Sequence, residues 1–353
     1  MPTFIPDKLT RVIAEAFAQT GVPADAATAV AEHLVDAELC GVRSHGVIRV
    51  PQYVEAIEAG KIAPDATLST VSETESTAVL DGHHGFGQVM ARGAMDIALD
   101  KAEGSGVAAV TLVNCSHTGR LGSYTTRAAA RNMVGIMMVN AGGHGQWVAP
   151  YGGTAGRLAT NPLSIAVPVG DGDPIMLDIA TSVAPEGKVR TAHTAGNALP
   201  QGWLIDHRGA PSTHPADLYG PPRGALLPFG GHKGFGLAMI IDALAGGLSG
   251  AGCCVDPDAP DAGDTDGVFM LAINVAVFRA APDFERQVRR MIAHVKTSPP
   301  APGFDAVLTP GELEARSRQS QCEQGVMIDE ATWQAIRPTL ERIGVDLEPD
   351  MNA

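Results

Sequence analysis

Three side chains near the N-terminus could together bind an acid and transfer a proton to or from it. Ser44 can hydrogen-bond one nitrogen of the His45 imidazole, which leaves the other nitrogen free to exchange a proton near neutral pH. Arg49 follows His45 by about one helical turn, so both side chains would point the same way. A guanidinium binds a carboxylate through two parallel hydrogen bonds. The pattern indicates acid–base chemistry on a carboxylate substrate; the alternative is a helix cap beside a solvated histidine and a surface arginine.

A second histidine, His117, follows the continuous apolar run Val107–Val113. Such a run predicts a buried strand, and ligands bind α/β proteins at the carboxyl ends of strands. Gly119 and Gly122 would let a ligand come close to the backbone. The stretch is a candidate for the same site as His45, and a plain turn of small polar residues is the alternative.

Three later segments could hold a cofactor. Asn161 precedes Pro162, which predicts an extended backbone and an amide that could match a carboxamide. Asp178 lies at the end of an apolar strand, where a carboxylate is costly unless it is hydrogen-bonded or has a functional role. The glycine-rich stretch Phe229–Gly236 carries Lys233 and opens a helix, so its amides favour a pyrophosphate. A proton donor, a carboxylate anchor and a phosphate site together suggest hydride transfer to a 2-oxo acid or a cyclic imino acid.

Several common catalytic motifs are missing from the sequence. No glycine fingerprint of the Rossmann type follows a strand, and there is no Walker A loop, H-E-x-x-H or G-x-S-x-G motif. Scattered histidines leave one rival, a metal-dependent hydrolase or lyase, although no ligand pair has helical spacing. Its candidate residues are His45, His117, His144 and Asp178. A non-catalytic ligand-binding protein is the other rival.

Composition narrows the class of protein further. With 25 basic and 39 acidic residues the net charge is −14, which repels phosphate backbones, so we expect no nucleic acid partner. The 5 cysteines form no C-x-x-C pair, which indicates a reduced, cytoplasmic setting. The longest apolar stretch, residues 237–248, is interrupted by Asp242 and by Gly246–Gly247, so we expect no membrane span.

Apolar periodicity predicts helices at both ends of the chain, with alternating strands and helices between them. A chain of 353 residues usually divides into two domains. We expect an α/β fold in which a mixed-sheet, non-classical NAD(P)-binding domain, residues 121–280, is inserted into a mainly helical domain formed by residues 1–120 and 281–353. Three finer predictions are a turn over Asp81–Gly87, a strand over Val268–Phe278, and a small-residue helix over Gly234–Leu248 that is buried on most sides.

Taken in order, the motifs resemble those of the malate/L-lactate dehydrogenase family of the non-Rossmann type. This group includes ureidoglycolate, sulfolactate and diketogulonate dehydrogenases and the cyclic imino-acid reductases. The matching stretches are RSHGVIRVPQY, DGHHGFGQ, CSHTGRLGSY, APYGG, LATNPLSIAVP, LDIATS, GGHKGFGLAMIIDALAGGLSG and LTPGELEARSR.

The resemblance implies a homodimeric oxidoreductase that uses NAD or NADP and acts on a small carboxylate substrate. An unusual cofactor fold would explain the missing fingerprint. The resemblance makes His45 the proton donor in reduction, with Ser44 relaying to it and Arg49 holding the substrate carboxylate; His117 has the acid–base role in some relatives.

The resemblance also assigns binding residues and no metal ligand. The residues expected to line the substrate are His117, Thr118, Gly119, Arg120, Leu121 and Thr160. The residues expected to hold the cofactor are Asn161, Asp178, Ile179, Ala180, Lys188, His232, Lys233, Pro310, Gly311 and Glu312. The sequence departs from the family's usual residues at Ala159, His232 and Pro185–Glu186, so neither the substrate nor the choice between NADH and NADPH carries over.

Overall fold

The computed structural model describes residues 2–141, 145–255 and 265–345. Its helices are α1 (Pro6–Gln19), α2 (Ala24–Leu39), α3 (Val50–Glu58), α4 (Gly87–Ser105), α5 (Gly122–Ala130), α6 (Glu186–Thr194), α7 (Ala216–Tyr219), α8 (His232–Ile241), α9 (Ala281–Lys296), α10 (Glu312–Gln324) and α11 (Glu330–Arg342). Its strands are β1 (Thr3–Phe4), β2 (Ser69–Glu73), β3 (Thr77–Gly85), β4 (Val107–Cys115), β5 (Met133–Asn140), β6 (Leu163–Val167), β7 (Ile175–Ile179), β8 (Leu204–Ile205), β9 (Pro211–Ser212), β10 (Ala225–Leu226), β11 (Asp266–Asn274) and β12 (Val326–Met327). Short 3₁₀ turns cover Arg43–His45, Val47–Arg49 and Val275–Val277, and a π-helical turn covers Asp242–Leu248.

A mixed 7-stranded sheet lies at the centre, in the order β2-β3-β4-β11-β5-β6-β7. Strands β3 and β4 are parallel and are joined by α4, whereas the other neighbouring pairs of this sheet are antiparallel. Leu80, Leu112 and Met270 lie on the face of the sheet that packs with Met95 and Leu99 of α4. The expected α/β architecture with a mixed sheet is therefore confirmed.

The two ends of the chain share a second core. Leu9, Ile13 and Phe17 form the buried stripe of α1, as their helical spacing predicts. They cluster with Ile336 and Leu340 of α11, and β1 pairs with β12. The division at residue 120 stays a prediction, because β4 of the first segment is hydrogen-bonded to β11 of the proposed inserted domain.

The predicted turn over Asp81–Gly87 is wrong for most of its length, because β3 continues to Gly85. Gly85 pairs with Cys115 of β4 after an irregularity in the register. That irregularity contains His83 and His84, whose φ angles are 48° and 61°. The carboxylate of Asp81 accepts the amide of His83 at 2.8 Å and stabilises this left-handed segment.

The strand predicted over Val268–Phe278 begins earlier, at Asp266, and ends at Asn274. The side chain of Asn274 accepts the amide of Ala276 at 3.0 Å, which turns the chain into the following 3₁₀ turn. Local capping by a polar side chain therefore overrides the apolar run that favoured a longer strand.

The helix predicted over Gly234–Leu248 is present as α8 and the π-helical turn, but it is not buried on most sides. Met239, Ile240 and Leu248 are 49%, 57% and 61% exposed. The packed face carries Ala238, Ile241 and Ala245, which are fully buried, and Gly246, on which a Cβ would lie 2.3 Å from the side-chain nitrogen Nδ2 of Asn140. Within the described residues, no helix has both the length and the hydropathy needed to cross a bilayer.

Candidate active site

The turn between α2 and α3 presents His45. Ser44 Oγ lies 3.0 Å from His45 Nδ1, as the sequence predicts, and Arg49 Nε donates to the carbonyl of Ser44 at 2.7 Å. The guanidinium of Arg49 also donates from Nη1 to Gln52 Oε1 at 2.7 Å. These contacts fix the imidazole, the hydroxyl and the guanidinium in one rigid turn.

The buried side chain of Glu38 is hydrogen-bonded to the backbone of the segment that follows His45. Glu38, which is 2% exposed, accepts the amide of Val47 at 2.9 Å. A Cβ on Gly46 would lie 2.0 Å from Glu38 Oε1, so only glycine fits beside the carboxylate. Burial raises the pKa of Glu38 from 4.5 to about 7.

The carboxyl of Glu38 should make stability depend on pH. Because its folded pKa lies above its unfolded one, the folded state binds the extra proton, and that stabilisation is lost as the pH rises from about 5 to about 7. Relative to the unchanged protein, Glu38→Gln should therefore gain up to roughly 3 kcal/mol between these values. Urea denaturation at the two pH values measures the gain; the exposed Glu32→Gln is the control, and an equal gain in both variants would contradict the assignment.

The second histidine lies against the first. The rings of His45 and His117 are stacked, with centroids 5.4 Å apart and planes 14° from parallel. His117 Nδ1 lies 2.8 Å from the hydroxyl of Tyr53, which is buried in α3. The structure thus brings together two histidines that are separated in the sequence by three strands and two α-helices.

Both imidazoles are held neutral. Burial, with Arg49 nearby, lowers the pKa of His45 to about 3. Burial, with Arg49 and His45 nearby, also places the pKa of His117 well below its usual value. Neutral imidazoles beside a guanidinium are suited to accept a proton or donate a hydrogen bond to a bound anion.

The residues that follow His117 are engaged inside the protein. Thr118 donates to Asp266 Oδ2 from its amide (2.8 Å) and its hydroxyl (2.9 Å). Arg120, which is 4% exposed, pairs with Asp36 at 3.0 Å. A Cβ on Gly119 would lie 2.4 Å from His33 Nε2. Leu121 is also buried at 2% exposure. These four residues hold the loop in place, and their contact with the substrate, like that of His117, stays a prediction.

The end of β7 adjoins this loop. Asp178 Oδ2 accepts the amide of Gly122 at 2.7 Å, and burial raises the pKa of Asp178. Ile179 and Ala180 follow, both partly buried. Thr181 then donates its amide to the carbonyl of Thr160 at 2.9 Å. This bond ties the end of β7 to Thr160, which lies in the segment before β6.

Asn161 differs from its prediction. Its φ is 26°, so the residue is left-handed rather than extended. Its side chain is fully buried and donates to the carbonyl of Ala238 in α8 at 3.1 Å. The side-chain amide joins the segment before β6 to α8, and its contact with a cofactor carboxamide stays a prediction.

The glycine-rich loop before α8 is hydrogen-bonded to Thr181, just after the end of β7. The carbonyl of Thr181 accepts the amide of Phe229 at 3.0 Å. A Cβ on Gly234 would lie 2.3 Å from the carbonyl of Phe229, so the loop folds tightly against the helix. No side chain caps α8, and His232 and Lys233 at its start are exposed. This helix start is open to an anion.

The remaining predicted cofactor residues lie on two other segments. Lys188 is exposed on α6, next to Gly187, whose Cβ position lies 3.8 Å from Ser44 Cβ. In the tail, the carbonyl of Pro310 accepts the amide of Met176 in β7 at 3.1 Å, and Gly311 packs on the same residue.

Glu312 is already paired within the tail. It binds Lys296 at 2.6 Å and Arg316 at 2.7 Å, and the bond to Lys296 lowers the pKa of Glu312 to about 2. The tail therefore reaches the strand that carries Asp178, but the carboxylate of Glu312 is engaged elsewhere.

Sequence reasoning missed Tyr53, Gln88 and Asp266, which support His117 and its loop. Tyr53 and Gln88 end two of the quoted motifs, RSHGVIRVPQY and DGHHGFGQ, which was the signal available. Asp266 belongs to the stretch Asp264-Thr265-Asp266-Gly267, whose composition favours a plain turn, so the sequence indicated no supporting role for it.

A metal-dependent hydrolase or lyase would need a cluster of metal ligands, and the part of the chain that the structure describes contains none. There, no three His, Cys, Asp or Glu residues are close enough to share an ion. His144, one of its candidate residues, lies outside the described residues.

Comparisons with known proteins agree on one family. A family model for malate/L-lactate dehydrogenase matches residues 4–337. The chain is 38% identical over 328 residues to an L-lactate dehydrogenase of Cupriavidus necator, covering 92% of each protein. It superposes on the sulfolactate dehydrogenase of Methanocaldococcus jannaschii with a TM-score of 0.87 and 34% identity, covering 98% of each chain. With the Δ1-piperideine-2-carboxylate reductase of Pseudomonas syringae the TM-score is 0.82 and the identity 27%, over 96% of this chain and 100% of that one.

Proposed function

Because the chain belongs to the malate/L-lactate dehydrogenase family and is an oxidoreductase of hydroxy acids, we propose that it transfers a hydride between NAD or NADP and C2 of a small 2-hydroxy or 2-oxo acid. Reduction of a cyclic imino acid is the second candidate, favoured by the reductase among the similar structures. The observation that carries the proposal is the stacked pair of neutral histidines beside Arg49.

Arg49 binds the substrate carboxylate. Its Nε donates to Ser44 and its Nη1 donates to Gln52. These two hydrogen bonds fix the plane of the guanidinium. In the described part of the chain its Nη2 donates to no protein acceptor, so that edge is left for the acid. The carboxylate then holds C2 in front of the histidines.

His45 exchanges the proton. In oxidation the neutral ring accepts the proton of the substrate hydroxyl as the hydride leaves C2, and in reduction it returns that proton. Ser44 keeps the ring in one orientation through Nδ1. A bound carboxylate offsets the positive charge of Arg49 and so eases protonation of His45 during turnover.

The residues present fit a dinucleotide. The uncapped start of α8 and Lys233 suit its phosphates, and Asp178 at the end of β7 suits a ribose hydroxyl. When bound, the nicotinamide supplies the hydride acceptor or donor. Lys188, exposed on α6 next to Gly187 and the Ser44 turn, is a second candidate cation for the phosphates.

We also propose a homodimer. The exposed apolar side chains Met239, Ile240 and Leu248 on α8 and the π-helical turn favour a covered face. Light scattering should give twice the chain mass of 36.5 kDa, and a monomer at micromolar concentration would contradict the proposal.

The lowered pKa of His45 predicts different pH profiles for the two directions. Oxidation needs the neutral ring, so its kcat/KM should stay flat between about pH 5 and pH 8. Reduction consumes a proton, so its kcat/KM should fall about tenfold for each pH unit over the same range. Initial rates followed by nicotinamide absorbance test both profiles. An inflection of the oxidation profile near the ordinary histidine value of 6.5 would contradict a buried His45.

The experiment that tests the proposed function is a substrate panel. Malate, lactate, sulfolactate and ureidoglycolate, with the corresponding 2-oxo acids and five- and six-membered cyclic imino acids, are assayed with both nicotinamide cofactors. We expect turnover of at least one acid, and none after its carboxylate is replaced by an amide. Turnover that is indifferent to the carboxylate, or none at all, would overturn the proposal.

A further inference from the structure

Behind His117 lies a buried pair of polar side chains, Tyr53 of α3 and Gln88 of α4. Tyr53 Oη lies 2.8 Å from His117 Nδ1, and Gln88 Nε2 donates to Tyr53 Oη at 2.8 Å. Tyr53 and Gln88 are 1% and 2% exposed. Since buried polar groups are costly unless hydrogen-bonded, the pair restricts where protons can lie on His117.

The backbone of His117 fixes the orientation of the Gln88 amide. Gln88 Nε2 lies 3.1 Å from the carbonyl oxygen of His117, and a carbonyl oxygen only accepts. The group at that position is therefore the NH₂, and its second hydrogen points to Tyr53 Oη. The phenol oxygen thus accepts from Gln88, and its single hydrogen is left for His117 Nδ1.

We propose that Tyr53 and Gln88 are positioning residues that hold His117 as the tautomer with its proton on Nε2. Nδ1 accepts from Tyr53, so the opposite edge of the ring offers an N–H. Among the described residues no protein acceptor meets that Nε2, and the ring is only partly buried.

The tautomer assigns different roles to the two stacked rings. A neutral His117 with hydrogen on Nε2 donates a hydrogen bond to the oxygen on C2 and cannot serve as the base at that atom. His45 is then the ring that takes the proton. This division of roles rests on the proposed function, whereas the tautomer itself follows from the hydrogen bonds.

Nitrogen NMR measures the tautomer without any turnover. In uniformly ¹⁵N-labelled protein near neutral pH, the His117 signals are identified as those lost in His117→Asn. We expect a protonated, pyrrole-type Nε2 and an unprotonated, pyridine-type Nδ1, and a shift toward mixed tautomers in Tyr53→Phe. A proton on Nδ1 in the unchanged protein would overturn the inference, whether or not any variant folds.

Kinetics test whether the tautomer matters to the reaction. Tyr53→Phe should lower kcat by about 10- to 100-fold while the Kd for the nucleotide is unchanged, because a buried nitrogen of His117 loses its hydrogen-bond partner. Gln88→Met, which keeps the volume and removes the donor, should also shift the His117 nitrogen signals toward mixed tautomers. Tyr219→Phe is the matched control, because its hydroxyl bonds Glu186 rather than a histidine. If Tyr53→Phe keeps full kcat and the same tautomer, the positioning role is wrong. If the unchanged protein turns over no acid, the proposed function fails while the NMR result still decides the tautomer.

Discussion

Replacing His45 with asparagine should lower kcat by about 10²–10⁴-fold, because a positioned histidine contributes that much as a general acid or base. The asparagine amide can still contact Ser44 Oγ, which lies 3.0 Å from Nδ1 in the unchanged protein, but it cannot exchange a proton. Binding of the nucleotide should survive, since the cofactor residues proposed on β7 and α8 are untouched. Steady-state rates and a nucleotide titration measure the two effects separately.

The control for His45→Asn is His83→Asn. His83 has a half-exposed side chain, and its left-handed φ of 48° is one that asparagine tolerates well. It should keep full activity. Full turnover by His45→Asn would show that the ring does not take part in the reaction, and loss of nucleotide binding would show that the substitution disturbs the fold of the site.

Replacing Arg49 with lysine should raise KM for the acid by about 10- to 100-fold, with a smaller effect on kcat. A lysine keeps the charge but loses the forked contact with a carboxylate, and hydrogen bonds to charged groups are worth about 1.5–3 kcal/mol. The lysine also cannot hold both Ser44 and Gln52 as the guanidinium does. Initial rates at varied acid concentration give KM and kcat.

Arg131→Lys is the matched control for Arg49→Lys. Arg131 forms ion pairs with Asp100 and Glu103 on the surface, away from both histidines. Its KM for the acid should be unchanged. An unchanged KM in Arg49→Lys as well would place the substrate carboxylate on another cation.

Local sequence patterns predicted the elements well where the pattern is itself local. The stripe Leu9, Ile13 and Phe17 predicts α1. The apolar runs Leu163–Val167 and Ile175–Ile179 predict two strands, and β6 and β7 have these bounds. The contact between Ser44 and His45 was predictable for the same reason, because neighbouring residues in a turn form it.

Contacts between distant segments could not be predicted in this way. Tyr53 and His117 are 64 residues apart, and His33 and Arg120 are 87 residues apart. Neither pair leaves a periodic signal, since each depends on how α2, α3 and α4 pack against the loop after β4. The exposed face of α8 was missed because an apolar side chain has the same sequence signature whether it is buried in a core or lies on the surface.

Pairing between strands also overrides local turn signals. The residues from Asp81 to Gly85 carry glycines and histidines that favour a turn, yet pairing of Asp81 with Val113 and of Gly85 with Cys115 keeps both ends of the stretch in β3. The positive φ angles of His83 and His84 let the backbone turn locally while β3 continues to Gly85.

Transfer of deuterium tests the central claim most directly. The reduced nicotinamide cofactor carrying deuterium at C4 is incubated with the protein and the best acid from the panel, and the product is analysed by mass spectrometry. Direct hydride transfer predicts one deuterium on C2 of the product, and none when only the solvent is deuterated. A product labelled at C2 from the solvent instead would contradict the account.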